Sequence, residues 1–329
     1  MVEQVVKPRI RGFIATNAHP EGCAANVREQ VAVARAALPG EGLGNVLVVG
    51  SSTGYGLAST LSACFGYGAA TLGVCFERPS TEDRGGSAGW YNLAEASRLA
   101  SEQGRTLETI NGDAFSAEVK RETIDALAAR FGKIDLLVYS LAAPRRVGPD
   151  GEVWNSVLKP IGGAHEARSI NLRSHEVEER AFEQATETEI ADTIKVMGGE
   201  DWAAWVAALR EAGLLAGGFR TVAYSYVGPG VTQAVYRFGT IGRAKEHLEA
   251  TAHELAAGAD IDGAWVSINT GAVTQASAAI PGVPLYISVL FKEMKSRGLH
   301  ESAIDQLVRL FRDHIGPGVS PSTDEEGRI

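Results

Sequence analysis

The stretch Val46-Leu47-Val48-Val49-Gly50-Ser51-Ser52-Thr53-Gly54-Tyr55-Gly56 constrains the fold of this chain more than any other. Its continuous apolar run, ended by glycine, reads as a buried strand of a parallel sheet. The glycines at 50, 54 and 56 then lead into an apolar helical run from Leu57 to Phe65. Strand, glycine-rich turn and helix form the geometry that receives a dinucleotide pyrophosphate. Glycines let the backbone approach the phosphates, and the free N–H groups of the first helical turn point at them. The spacing is G-x-x-x-G-x-G rather than the commoner G-x-G-x-x-G, and a purely structural turn is the alternative reading.

The next segments repeat the alternation. Ala70 to Phe76 is a second buried strand, ending at Glu77. An acidic residue at that strand end, roughly 20 residues past the last glycine, can accept both ribose hydroxyls of an adenosine and repel the 2′-phosphate of NADPH. A solvated surface glutamate is the alternative. Thr106 to Asn111 is a third strand. Asp113 after it either reaches the adenine amino group or belongs to the start of a helix over Ser116 to Phe131, where Ser and Asp are favoured caps. Ile134 to Ser140 is a fourth strand, and the small residues after Leu141 leave room for the second ribose. Four strands alternating with helices specify a doubly wound α/β sheet.

Around this frame, Lys7 to Thr16 reads as a short strand or arm and Ala25 to Ala37 as a helix. Arg145 to Gly163 is loop-rich, and Ser169 to Glu183 reads as a hairpin inserted over the sheet. Thr186 to Leu214 reads as two helices, broken and capped at Gly198-Gly199-Glu200-Asp201. Arg220 to Val227 and Trp265 to Asn269 supply a fifth and a sixth strand, with a helix inside Gly239 to Ala257 between them. Ala276 to Ser296 is apolar and interrupted by proline, either core or the wall of an acyl-chain site. The polar stretch Gly316 to Ile329 is expected to fray.

Chemistry is concentrated between the fifth and sixth strands. Tyr236 and Lys245 lie nine positions apart. A lysine ammonium near a nicotinamide binds ribose hydroxyls and lowers a nearby phenol pKa, and the phenol then stabilises an oxygen that becomes negative during hydride transfer. Nine positions on one helix is about two and a half turns, which would put the two side chains on opposite faces. Tyr236 is therefore expected in the loop before the helix, with Thr240 as cap and Lys245 about one turn inside. The alternative is a buried aromatic and a surface lysine. Gly271-Ala272-Val273 follows the sixth strand, beside the expected nicotinamide site.

The formal net charge of −9 disfavours nucleic acid as a partner. An acidic protein taking an acidic substrate needs a local basic patch, for which Arg145, Arg146, Arg237 and Arg243 are the candidates. The three cysteines show no metal-ligand spacing, and their number suggests a reducing compartment. Met1 to Arg11 has no signal-peptide apolar region, and no uninterrupted apolar run is long enough to span a bilayer.

Several segments in the same order over nearly the whole chain carry a resemblance. They include Lys7-Pro-Arg-Ile-Arg-Gly-Phe-Ile14, Ala18-His-Pro-Glu-Gly-Cys23, Gly50-Ser-Ser-Thr-Gly-Tyr-Gly56, Gly89-Trp-Tyr-Asn92, Ile110-Asn-Gly-Asp-Ala-Phe-Ser116, Leu158-Lys-Pro-Ile-Gly162 and Val196-Met-Gly-Gly-Glu-Asp-Trp202. Together they resemble the trans-2-enoyl-CoA reductases and the related V-type bacterial NADH-dependent enoyl-[acyl-carrier-protein] reductases.

That resemblance implies an enlarged short-chain-dehydrogenase-like Rossmann fold. It implies one domain over 1–329 with an N-terminal arm at 1–44 and a substrate-side insertion at 145–217, monomeric and cytoplasmic. It implies NADH-dependent reduction of the C2–C3 double bond of an enoyl-CoA or enoyl-acyl-carrier-protein thioester, the last step of fatty-acid elongation. It makes Tyr236 and Lys245 catalytic and Tyr226 substrate-contacting. It assigns the cofactor to Gly50, Ser51, Ser52, Thr53, Gly54, Tyr55, Phe76, Glu77, Asp113, Ala114, Leu141, Ala142, Lys245, Gly271, Ala272 and Val273. Two departures stand out. The family usually continues past the point where this sequence stops, at Ile329. Arg237-Phe238 also stands where the carrier-protein branch is expected to have a tryptophan, which points to a different chain-length preference. Two rival readings are a short-chain carbonyl reductase and a non-catalytic NADH-binding redox sensor.

Overall fold

The structure, a computed structural model, describes residues 9–11, 14–15, 17–82, 84–171, 174–272 and 283–329. β1 (Ile10–Arg11) pairs antiparallel with β2 (Ile14–Ala15), and α1 (Pro20–Ala37) follows. β3 (Asn45–Val49), α2 (Gly54–Leu61), β4 (Ala70–Cys75), α3 (Ala88–Glu102), β5 (Leu107–Asn111), α4 (Ala117–Ala126) and β6 (Ile134–Tyr139) then alternate. A substrate-side segment holds β7 (Arg145–Val147) with β8 (Val153–Asn155), β9 (His165–Ile170) with β10 (Val177–Phe182), α5 (Glu187–Met197) and α6 (Glu200–Glu211). The chain returns through β11 (Leu215–Ser225), α7 (Gly230–Gln233), α8 (Thr240–Ala256), β12 (Gly263–Ile268), α9 (Val283–Ser296) and α10 (Ala303–Leu310).

Six of these strands form one sheet in the order β12-β11-β6-β3-β4-β5, every neighbouring pair parallel. This is the doubly wound α/β arrangement expected. Its strand order reverses between β3 and β6, and such sheets bind ligands in the crevice beyond the strands' carboxyl ends at that reversal. Strand side chains alternate in direction, so the apolar run of β3 feeds two cores. Val46 and Val48 join the layer built with α1, α2, α3 and α10, whereas Leu47 and Val49 join the layer with α4, α6 and α8.

The helix expected over Ala25 to Ala37 is present as α1, which starts earlier, at Pro20, and its Val27, Val31 and Ala34, spaced for one helical face, are buried in the first core. Three expectations change. The inserted hairpin starts earlier than Ser169, because His165 already pairs with Phe182. Half of its strand residues are exposed and only Ser169 and Phe182 are buried, so little apolar patterning marks it. The insertion ends at Leu214, since Leu215 pairs with Ile134 as part of β11. The terminal stretch docks rather than frays. Ile329 N donates to Val266 O at 3.0 Å, and Ile268 N donates to Ile329 O at 2.6 Å. β12 is an edge strand with unpaired backbone groups, and Arg328 adds ion pairs to Asp324 and Glu249.

Of the proline-interrupted segment, residues 276–282 lie outside the described residues, and the rest is the helix α9, with Pro284 in the first turn where its missing N–H has no partner to lose. Among the described residues no helix is long and apolar enough to cross a membrane.

Candidate active site

At the reversal point the backbone crosses closely. Gly50 has φ +88°, and a Cβ there would lie 2.4 Å from the Ser140 carbonyl oxygen at the end of β6. A Cβ on Gly56 would lie 1.8 Å from the Gly50 carbonyl oxygen, so α2 can start this close only without a side chain. No side chain caps α2 at Thr53, and its first turn holds no acidic residue. Its amide N–H groups are therefore left for an anion. The cleft above this turn has a volume of about 1360 Å³, and Gly50, Ser52, Thr53 and Gly54 form its floor.

Two of the residues expected at the phosphates face elsewhere. Ser51 is fully buried; its N–H and its hydroxyl both donate to the Val74 carbonyl. The Tyr55 ring lies 5.9 Å from that of Tyr224, and its hydroxyl donates to the Thr270 carbonyl. Tyr55 thus ties α2 to the loop after β12, and burial pushes its phenol up to about 12.

Phe76, Glu77, Asp113 and Ala114 line the cleft beyond the ends of β4 and β5. Phe76 is 79% exposed, an apolar ring left open beside the strand end. Glu77 accepts hydrogen bonds from the Ser52 hydroxyl, at 2.5 Å, and from the Ser87 hydroxyl. Its backbone is clamped by the Asn111 side chain, at 2.7 and 2.8 Å. Ser87 is also the N-cap of α3, and a Cβ on Gly89 would stand 2.0 Å from the Glu77 carboxylate. Asn92 completes the arrangement by donating to the Ser52 carbonyl at 3.0 Å. Ser87, Asn92 and Asn111 were missed from the sequence; the Gly89-Trp-Tyr-Asn92 motif was the available signal. Asp113 accepts from Phe115 N at 3.0 Å, while Ser116 caps α4.

Leu141, Ala142 and Ala272 line the other end of the same cleft. Gly271 abuts Tyr226, since a Cβ on it would lie 3.7 Å from the Tyr226 ring. Val273 lies outside the described residues. These features fit a dinucleotide: glycines cross at the reversal point, a helix start lacks a cap, and a carboxylate closes the second strand.

Tyr226, Tyr236 and Lys245 gather at the carboxyl end of β11. Tyr236 lies before α8, as the spacing required, and its ring meets Tyr226 edge-on at 5.2 Å between centroids. Lys245 is half-buried on α8 and donates to the Tyr224 carbonyl at 3.2 Å. Desolvation lowers its ammonium to about 8, opposed by Glu249. Burial raises the Tyr236 phenol, contrary to the expectation that the lysine would lower it. Tyr226 is raised further, by burial and then by the neighbouring Tyr286 phenol, with which it shares a hydrogen bond. Both phenols therefore keep their protons at neutral pH, which suits hydrogen-bond donors. Thr240 does not cap α8; Gly239 holds that position, and the Thr240 hydroxyl donates to the Val157 carbonyl.

Of the four candidate basic residues, Arg146 is buried and paired with Glu200. Arg237 and Arg243 pair with Glu249 and Glu246. Arg145 is exposed at the cleft. Among the described residues no group of His, Cys, Asp and Glu could hold a metal ion.

Residues 84–315 match the trans-2-enoyl-CoA reductase catalytic region, and residues 5–82 match the NAD(P)H binding domain of trans-2-enoyl-CoA reductase. An enoyl-[acyl-carrier-protein] reductase [NADH] of Chromohalobacter salexigens is 50% identical over 99% of this chain and 83% of its own length. A trans-2-enoyl-CoA reductase [NADH] of Ruminiclostridium cellulolyticum is 49% identical with the same coverage. The crystal structure of Treponema denticola trans-2-enoyl-CoA reductase in complex with NAD superposes with a TM-score of 0.95, at 46% identity, over 99% of this chain and 84% of that one. On fold, crevice and relatives alike, the chain belongs to the trans-2-enoyl-CoA reductase family.

Proposed function

We propose that this protein reduces the C2–C3 double bond of trans-2-enoyl thioesters with NADH. The observation that carries the reading is the convergence of Tyr226, Tyr236 and Lys245 at the carboxyl end of β11, with the abutting Gly271-Ala272 segment running into the dinucleotide cleft. NADH, when bound, supplies the hydride that goes to C3. The rest is done by this chain's side chains. Charge moves onto the thioester oxygen as an enolate, the Tyr236 hydroxyl donates a hydrogen bond to it, and a proton taken up from solvent at C2 restores the thioester carbonyl and completes the reduction. Burial keeps that donor protonated and strengthens the interaction. Tyr226, edge-on to Tyr236, orients the thioester, and the Lys245 ammonium holds ribose hydroxyls. Glu77 takes the adenosine ribose hydroxyls, and the uncapped start of α2 takes the pyrophosphate.

The remaining site residues follow from the same placement. Phe76, Asp113 and Ala114 bound the adenine, and Leu141, Ala142, Gly271, Ala272 and Val273 the nicotinamide end. Ser51 and Tyr55 act through the loop's shape rather than by facing the cleft. We read 1–329 as one Rossmann unit, monomeric and cytoplasmic. Both family-matched regions contribute strands to a single sheet, which supports the single unit.

A substrate panel tests the proposal: loss of NADH absorbance with crotonyl-CoA, with the matching carrier-protein thioester, and with a ketone of equal length. Turnover of either thioester supports it and identifies the carrier. Turnover of the ketone alone points to a carbonyl reductase, and tight NADH binding without turnover to a redox sensor.

A further inference from the structure

Beside the cleft lies a buried charge cluster that neither the phosphate loop nor the tyrosine–lysine group uses. Asp201, on α6, is 2% exposed. Its Oδ1 accepts from Lys120 Nζ at 2.7 Å, and its Oδ2 accepts from the Tyr139 hydroxyl at 3.1 Å. Lys120 Nζ also donates to the carbonyls of Ala114, at 2.8 Å, and Phe115, at 3.1 Å. An ammonium has three protons, and these three oxygens use them all. The Trp205 ring lies 5.0 Å from that ammonium and shields it. Next to it, the buried Arg146 guanidinium stands 5.4 Å from the Phe115 ring and 3.0 Å from Glu200.

The cluster touches both walls of the crevice. Ala114 and Phe115 line one side. Tyr139 is the last residue of β6 and leads directly into Ser140, Leu141 and Ala142 on the other. A buried ion pair rarely stabilises a fold more than a well-packed apolar pair of the same size would. What it adds is direction, because each proton has one acceptor and each acceptor one place to be.

We propose that Lys120 and Asp201 are positioning residues for NADH, holding the 113–115 loop at its adenine end and the 140–142 loop at its nicotinamide end at the separation the dinucleotide requires. Asp201 belongs to the segment inserted after β6, so that insertion shapes the cofactor site as well as the substrate side. Removing Lys120 alone would strand a buried carboxylate, so the test replaces the whole cluster with apolar side chains: Lys120→Met, Asp201→Leu and Tyr139→Phe together.

In this triple variant, with its melting temperature checked against the wild type, NADH dissociation is read by fluorescence and turnover by steady-state kinetics. The NADH dissociation constant and KM for NADH are expected to rise by roughly tenfold or more, with kcat and the thioester KM within about twofold. A folded triple variant that binds NADH as the wild type does overturns the proposal. Should the triple variant fail to fold, Tyr139→Phe alone decides. It keeps the ion pair and is expected to weaken NADH about threefold, and no weakening overturns the proposal.

The inference rests on reading the two loops as walls of the NADH crevice, and Ala142→Trp tests that reading separately. Unchanged NADH affinity in Ala142→Trp removes the reading itself. Weakened binding there, with unchanged binding in the folded triple variant, removes only the role given to Lys120 and Asp201.

Discussion

Glu77 accepts hydrogen bonds from two serines, and among the described residues no cation pairs with it. It lines the crevice with no cation among its hydrogen-bond partners to offset its charge. That charge suits two ribose hydroxyls and opposes a 2′-phosphate. Glu77→Ala is expected to shift the ratio of kcat/KM values toward NADPH by about tenfold or more. An unchanged ratio would remove Glu77 from cofactor choice. At Lys245, stability and cofactor binding respond to pH in opposite directions. Its folded value is lowered from 10.5 to about 8 by burial. Below that range both folded and unfolded chains carry the proton, and the cost of burying the charge is fully present. Above it the unfolded chain holds a proton that the folded one lacks, so this group's contribution to stability rises with pH between about 8 and about 10. The cation proposed to hold the ribose disappears over the same interval. kcat/KM for NADH should therefore fall as pH rises through about 8 while this site becomes less destabilising. A profile flat from about pH 7 to about 9 would contradict it. The position of Tyr236 ahead of α8 was legible from spacing alone, because nine positions cannot share one helical face. The hold of Ser52 and Ser87 on Glu77 was not, because it joins residues 25 and 10 positions away through the fold.

The element that fixes the site is the crossing of β3, α2 and β6. The glycines at 50 and 56 exist for backbone contact rather than flexibility alone. Gly56→Ala forces a methyl group against the Gly50 carbonyl, where a backbone atom must move. A loss of roughly 1–3 kcal/mol or more is expected, with weakened NADH binding, from denaturant unfolding and titration of the same sample. A variant matching wild type in both would show the turn to be looser than described. β3 and β4 were readable as buried apolar runs, whereas β5, mixed in composition and partly exposed, was readable only from its place in the alternation. The hairpin was displaced because only Ser169 and Phe182 of its strands are buried, leaving little apolar pattern to mark its start. Docking of Ile329 on β12 was unreadable, because edge-strand backbone groups carry no sequence signal.

At the scale of the molecule, one sheet draws its strands from both family-matched regions, and its order reversal puts the glycine turn, Glu77 and the small residues after β6 around one crevice. Alternating strands and helices made that architecture legible. The charge cluster behind it was hidden, since Lys120, Tyr139 and Asp201 come together only when the insertion folds back on the sheet. The chain spans 83% of the length of the relatives it matches, and the tyrosine–lysine group and the cleft lie wholly within that span. The central claim is that a buried phenol beside this crevice stabilises the reduced thioester's oxygen. Comparing crotonyl-CoA turnover and NADH binding in the wild type and Tyr236→Phe tests it most directly. The account predicts unchanged NADH affinity with kcat lower by roughly a hundredfold or more; equal kcat in the two proteins would contradict it.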